Sequence, residues 1–189
     1  MEIPFNGTLS YPRHLGQMTL NNFTYLTQEF IRLDAFNVER FEIEDATNEQ
    51  MSYSFAANRP HYIKLRLRNL DCENDCDFQL KFEDAANNNT VIIGFTHSTN
   101  AFYLDRTKGV PVNTFFNEVH RYHPKYQKLL NDNEFEIDVI LDVNTVEVLA
   151  DRGIVAITAL HLNDRIFSSL TLTTNKLYKV DLRISSFGS

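Results

Sequence analysis

Alternation of apolar and polar side chains is the main pattern along the chain. In residues 62–70 three aliphatic side chains alternate with three basic ones, and the same two-residue period recurs in residues 78–83 and 135–141. A period of two places the apolar residues on one face of an extended strand. Each segment is therefore predicted to be a half-buried β-strand.

Turn residues separate further strands. Asp142-Val143-Asn144 and Asp151-Arg152-Gly153 flank the apolar run 145–149, and another apolar run, 154–158, follows. These turns predict an antiparallel meander of three strands. With two closing strands over 169–173 and 178–184, the pattern predicts an all-β sandwich or barrel.

Helical periodicity is weak. Its best window runs from Leu26 to Phe36, where four apolar side chains three or four residues apart could share one face. This window predicts one short helix of about three turns at most.

Composition and charge narrow the classes of function. The chain has 189 residues, of which 43% are hydrophobic, and a net charge of −7. An acidic chain without a basic stripe is not expected to bind nucleic acid. The apolar runs are too short to span a membrane, and the pattern of the first residues does not predict a signal peptide.

The two cysteines, Cys72 and Cys76, are too few for a four-ligand zinc site, but their spacing permits a disulfide across a tight turn. Asn6, Asn22 and Asn88 begin Asn-x-Thr sequons, which are N-glycosylation sites if the chain enters a secretory pathway. Together these features favour an exported protein.

Three carboxylates, Asp138, Asp142 and Glu147, could converge across a hairpin as a glycosidase pair requires. A solvated sheet face explains the same alternation better. We therefore predict no catalytic role for them.

Two sets of residues resemble metal ligands. Acidic residues alternate over 71–77 as in a calcium loop, but Cys76 and Phe82 stand where such a loop needs Gly and Glu. His120 and His123, near Glu118, would share a face only in a helix. We expect neither a metal nor a cofactor.

Any exposed Tyr or Phe could stack on a sugar ring, although most should be core residues.

Residues 101–109 contain Asp105-Arg106, and residues 140–153 contain Asp142, Glu147 and Gly153. These segments resemble the signature strands of the C-terminal β-sandwich of glycoside hydrolase family 32, the invertases, inulinases and levanases. Residues 7–15 and 26–29 are similar to the junction that precedes this sandwich. Some positions depart from the family pattern, such as Leu149 where an aromatic residue is common.

The resemblance implies a two-sheet antiparallel β-sandwich of the concanavalin or lectin type in residues 41–189. Residues 1–40 would form an interdomain linker and arm, the end of a propeller-like region. The family's catalytic carboxylates belong to a five-bladed propeller whose motifs are absent here. Asp105, Arg106, Asp142, Glu147 and Gly153 match sandwich motifs, none of which is catalytic, so we expect structural roles for them.

The resemblance therefore predicts a non-catalytic module that stabilises the propeller of a secreted β-fructofuranosidase and is inactive alone. Without that partner, it should expose an apolar patch or self-associate. The alternative is a free-standing carbohydrate-binding module for fructan, a sucrose-type glycan or another glycan. The least supported hypothesis is an enzyme with an unfamiliar site on the sandwich.

Overall fold

The computed structural model is almost entirely β-structure. It describes residues 10–55, 59–69, 76–84, 86, 89–108, 126–130, 134–161 and 166–187. The strands in these residues are β1 (Arg13–Leu20), β2 (Phe23–Phe30), β3 (Val38–Ser54), β4 (His61–Asn69), β5 (Phe78–Asp84), β6 (Asn89–Thr96), β7 (Ala101–Asp105), β8 (Tyr126–Gln127), β9 (Glu134–Leu141), β10 (Thr145–Ala150), β11 (Val155–Leu160) and β12 (Ser169–Ser186).

Two antiparallel sheets form a sandwich and share their longest strands, β3 and β12. Residues 169–174 of β12 pair with β5, whereas residues 178–186 pair with β4. The register of β12 with β3 shifts between Thr173 and Tyr178, where β12 passes from one sheet to the other. The first sheet has the order β11-β10-β9-β4-β12-β3, and the second has the order β3-β12-β5-β6-β7-β8.

The core lies between the sheets and consists of the inward side chains of every long strand. The alternating triplets read from the sequence, such as Ile63, Leu65 and Leu67, are fully buried there. Phe135 contacts the rings of four other core aromatics, with its centroid 4.7 Å from that of Phe95. Burial of one face explains the two-residue period in the sequence.

The chain enters the sandwich through a separate hairpin, β1–β2, which forms a two-stranded sheet of its own. Its turn, Asn21-Asn22, has φ of 50° and 66°, as a two-residue turn with two left-handed residues requires. A 3₁₀ turn, Leu33–Ala35, follows β2. We call residues 10–36 the arm.

The predicted helix from Leu26 to Phe36 is wrong. Residues up to Phe30 belong to β2, and only Leu33–Ala35 is helical. Phe30 and Phe36 are buried, but Leu26 is 54% exposed, so the four apolar residues do not share one face.

The predicted β-sandwich is confirmed, and so is the meander of β9, β10 and β11. The domain boundary at residue 40 stays a prediction; β3 runs across it. No helix in the described part of the chain is long and apolar enough to cross a membrane.

Candidate functional site

A buried carboxylate holds the arm against the sandwich. Glu147 lies in β10 with its side chain 3% exposed. Its Oε1 accepts the main-chain N–H of Tyr11 at 2.5 Å, and its Oε2 lies 2.5 Å from Nη2 of Arg13. Arg13 also donates to Gln28 and Thr158, at 2.8 Å each. One ion pair therefore links β1, β2, β10 and β11.

Gly153 provides a second attachment point. In the turn between β10 and β11, Asp151, Arg152 and Gly153 all have positive φ, that of Gly153 being 79°. The main-chain N–H of Gln28 donates to the carbonyl oxygen of Gly153 at 3.0 Å. A Cβ at Gly153 would lie 1.9 Å from the carbonyl oxygen of Gln28. Glycine thus permits both the backbone conformation and the close approach of the arm.

An apolar contact joins the arm to the outer face of the first sheet. Phe30 and Phe36 are buried together with Ile140 and Leu149 of the sheet. The ring of Tyr11 stands edge-on to Phe30, with 6.0 Å between centroids. β9 and β10 therefore carry apolar side chains on both faces, which interrupts their alternation.

The three carboxylates that could have formed a glycosidase pair accept hydrogen bonds from different partners. Asp138 and Glu147 both lie on the outer face of the first sheet. Asp138 accepts the hydroxyl of Tyr62 at 2.5 Å, and burial raises the pKa of both groups. Asp142 lies in the exposed turn after β9 and accepts the N–H of Val143. Tyr62 thus donates to the partly buried Asp138, whereas Tyr11 and Arg13 donate to the buried Glu147.

Asp105 is the last residue of β7, and Arg106 follows it. Asp105 accepts the main-chain N–H of Thr107 at 2.8 Å. Arg106 is buried and donates to the carbonyl oxygen of Leu160 at the end of β11. Burial lowers the pKa of its guanidinium. The two neighbours thus bond to different partners.

His161 follows β11 and is 3% exposed. Its Nε2 lies 2.9 Å from the carbonyl oxygen of Asp142, and its ring contacts Phe167. Burial lowers the pKa of His161 to about 4. The imidazole is therefore neutral near pH 7 and joins the turn after β9 to the end of β11.

The described residues contain no cluster of three or more groups that could hold a metal. Asp77 accepts the main-chain N–H of His97 at 2.7 Å. The predicted acidic positions 71, 73 and 75, together with His120 and His123, lie outside the described residues.

Cys76 is fully buried and takes part in a disulfide. Cys72 lies outside the described residues, so the pairing of the two cysteines stays a prediction. Of the three sequons, Asn22 is exposed in the turn between β1 and β2. Asn6 and Asn88 also lie outside the described residues.

Apolar exposure concentrates on the arm. Of the five large hydrophobic residues found exposed in the described chain, Leu15, Phe23, Leu26 and Ile31 belong to the arm. Leu15 and Leu26 lie on the same side of the β1–β2 hairpin as Arg13, since Arg13 pairs with Phe30, Leu15 with Gln28, and Gln17 with Leu26. The arm is thus fixed to the sandwich at its base and exposes apolar side chains beyond it.

Several of these residues were not singled out from the sequence. Arg13 lies within residues 7–15, the segment similar to the junction, and no motif in the sequence indicates a site role for Tyr62 or His161. Arg13 and Glu147 lie 134 positions apart, a distance over which no sequence spacing indicates a contact. A positive residue at the junction and an acidic residue within an otherwise apolar strand were the available signals.

The sequence of the chain matches one known protein family. A family model described as "Glycosyl hydrolases family 32 C terminal" matches residues 34–185. No curated protein sequence matches the chain.

Solved structures match along nearly the whole chain. An exo-inulinase from Aspergillus awamori has 16% identity and a TM-score of 0.77, with 100% of this chain and 37% of that chain covered. A β-fructofuranosidase from Schwanniomyces occidentalis has 19% identity and a TM-score of 0.71, with 95% and 40% covered. A sucrose-6-phosphate hydrolase from Lactobacillus gasseri has 14% identity and a TM-score of 0.57, with 93% and 33% covered. The chain therefore spans two fifths or less of these enzymes.

Proposed function

The chain belongs to the C-terminal domain family of the glycosyl hydrolases of family 32, and from this premise we propose that it is a non-catalytic module that packs against a catalytic propeller and stabilises it. The parent activity would be hydrolysis of fructosyl bonds in sucrose or fructans. The matched exo-inulinase and β-fructofuranosidase support this substrate class.

The geometry of the arm is the observation that carries the proposal. Glu147 and Gly153 fix the arm to the first sheet, while Leu15 and Leu26 remain more than half exposed. Apolar side chains on a rigidly held hairpin are suited to burial against a second domain. The arm would therefore transmit the rigidity of the sandwich to the domain that contacts it.

A non-catalytic role agrees with the state of the carboxylates. Asp138 and Glu147 are engaged by Tyr62 and by Arg13, and Asp142 caps a turn. The chain contains no Trp, whereas the family's nucleophile motif begins with one. Asp105, Arg106, Asp142, Glu147 and Gly153 would accordingly serve the structure and not the chemistry.

A domain exchange tests the stabilising role. The part of the Aspergillus exo-inulinase that this chain matches would be replaced by this chain, and the product compared with the same enzyme truncated at that point. We expect the chimera to unfold at a higher temperature and to retain inulin hydrolysis. The same exchange would be made in the Schwanniomyces enzyme as a second host. If neither chimera were more stable than its truncated enzyme, the proposal would be contradicted.

The isolated chain provides the complementary test. Incubation with sucrose or inulin should release no fructose above buffer, and turnover on the order of one per second would refute a non-catalytic role. The same sample tests self-association, because a chain without its partner should cover Leu15 and Leu26 with a second copy. Light scattering across a concentration series would reveal this, and a strictly monomeric chain would count against it.

Secretion of the parent enzyme is part of the proposal. The disulfide at Cys76 and the exposed sequon at Asn22 support it, since both belong to oxidising, exported environments.

A further inference from the structure

The outer faces of the two sheets differ in chemistry. Beyond the arm, the outer face of the first sheet is crossed by ion pairs: Arg66 with Glu134, Arg68 with Asp181 at 3.0 Å, and Arg183 with Glu42 at 2.6 Å. We call it the charged face.

The outer face of the second sheet is dominated by hydroxyl and amide groups. We call it the neutral face, and its outward positions include Gln50, Ser52, Ser54, Gln79, Ser169, Thr171 and Thr173. Its acid–base pair, Lys81 with Glu83, is internally neutralised at 2.9 Å. Asp105, at the edge of the face, accepts a main-chain N–H from Thr107.

An aromatic ring lies across this neutral face. Tyr103 of β7 is directly opposite Gly94 of β6, which in turn is opposite Gln79 of β5. The Tyr103 hydroxyl is hydrogen-bonded to Gln79, so the side chain extends over β6. A Cβ on Gly94 would lie 2.4 Å from Cζ of Tyr103. Glycine at position 94 thus provides the space in which the tyrosine ring lies along the sheet.

The same row continues with polar groups that reach solvent. Gln79 is opposite Thr173 of β12, and Thr173 is opposite Gln50 of β3. All three side chains are exposed, whereas Tyr103 is half-buried. A ring held along the sheet beside a row of amide and hydroxyl groups is a fixed arrangement, because β-strands position each member.

We propose that the neutral face binds a neutral oligosaccharide, with a sugar ring against Tyr103 and its hydroxyls bonded to Gln79 and Thr173. The C–H face of a sugar is apolar and matches an aromatic ring, while amides and hydroxyls both donate and accept hydrogen bonds as sugar hydroxyls do. The carboxylates of Asp77 and Asp105 lie near Tyr103, so this part of the face carries no excess of positive charge, which favours a neutral over an anionic chain. This inference goes beyond the scaffold role and does not depend on it.

Affinity gel electrophoresis of the isolated chain tests the proposal, with inulin and dextran as neutral probes and polygalacturonate as the anionic one. We expect at least one neutral polysaccharide to retard the chain. Tyr103→Ala and Gln79→Ala should each weaken that retardation by about tenfold, the scale of one stacked ring or a few hydrogen bonds.

Two variants serve as controls. Arg66→Ala, on the charged face, should leave retardation by neutral polysaccharide unchanged. Tyr103→Phe retains the ring and should bind more tightly than Tyr103→Ala, and thermal unfolding would establish that each variant is folded.

Three outcomes would overturn the site. The first is no retardation by either neutral polysaccharide, and the second is equal retardation by polygalacturonate. The third is full binding of neutral polysaccharide by folded Tyr103→Ala and Gln79→Ala variants. None of these concerns the stability of the chimera, so the scaffold role and the glycan site can fail separately.

Discussion

Arg13 in β1 and Glu147 in β10 form an ion pair between the arm and the sandwich, with 2.5 Å between Nη2 and Oε2. The Glu147 side chain is 3% exposed and that of Arg13 is 12% exposed, so water solvates neither charge well. Removing one member of such a pair leaves the other without its counter-charge in a poorly solvated position. The pair therefore makes docking of the arm sensitive to a single substitution.

Glu147→Gln should lower the free energy of unfolding by about 3 kcal/mol, the usual cost of breaking a buried pair. The amide can still accept the N–H of Tyr11 but carries no charge for Arg13. Urea unfolding measures the change. The matched control is Glu136→Gln in β9, whose carboxylate is 30% exposed and 3.8 Å from Nε of Arg66. This variant should change stability by less than about 1 kcal/mol, and equal effects in both would contradict the assigned role.

Gly153→Ala should loosen the arm selectively. A Cβ there meets the backbone of Gln28, and φ of 79° disfavours any side chain, so we expect a loss of about 1–3 kcal/mol. Hydrogen exchange at the Gln28 amide, which donates to Gly153, should accelerate while β4 and β12 remain protected.

Gly16→Ala is the comparison for Gly153→Ala. A Cβ at position 16 would lie 2.8 Å from the hydroxyl of Thr27, the end of a side chain that can rotate. If the Gln28 amide exchanged its hydrogen as slowly in Gly153→Ala as in Gly16→Ala, Gly153 would not hold the arm.

The sequence predicted best the strands with one buried face. β4 and β5 alternate because their inner residues pack in the core and their outer residues meet solvent. The arm could not be predicted in this way, because Leu15 and Leu26 are exposed while Phe30 is buried under tertiary contacts. Its residues face three surroundings, the sandwich, solvent and each other, and no single period describes all three.

The candidate site was predictable only in part. Glu147 and Gly153 were identified through a resemblance, but their partners Arg13 and Gln28 were not, because the contacts form only when the sandwich and the arm are both folded. The row from Tyr103 to Gln79 depends on the order β7-β6-β5 and on register, and local patterns do not fix either.

Stability should fall as the pH decreases from about 6.5 toward 4 because of His161. Burial lowers its pKa to about 4 in the folded chain, while the unfolded chain binds the proton near 6.5. The unfolded state therefore takes up more protons in this window, and the loss approaches roughly 3 kcal/mol at pH 4. Asp138 opposes this trend, since its raised pKa stabilises the folded state as the pH falls.

The contribution of His161 is isolated by comparing His161→Gln with the unsubstituted chain. Glutamine retains an amide N–H for the carbonyl oxygen of Asp142 but does not titrate. Urea unfolding at pH 7.5 and pH 4.5 should show a smaller pH-dependent loss in the variant. Parallel losses in both proteins would exclude His161 as the source, and Asp138→Asn measures the opposing term.

Asn22 should carry a glycan when the chain is expressed in a secreting yeast. The residue is exposed at the tip of the β1–β2 hairpin, and Thr24 completes the sequon on an exposed position. Mass spectrometry before and after glycosidase treatment would locate the modification, and Asn22→Gln should remove it. Absence of a glycan at Asn22 on secreted, folded protein would contradict the prediction.

The exposed leucines of the arm give the most direct test of the proposed interface with the catalytic domain. At a concentration where light scattering finds the isolated chain monomeric, Leu15→Ser with Leu26→Ser should leave it about as stable as before, because the two side chains are 59% and 54% exposed. In the exo-inulinase chimera the same pair should lower the unfolding temperature by about 5 °C, since each buried leucine contributes roughly 1.5–3 kcal/mol. His14→Ser, on the opposite side of the same hairpin and also exposed, is the matched control and should change neither protein. If the leucine pair destabilised the isolated chain as much as the chimera, these side chains would act within the module and not between domains.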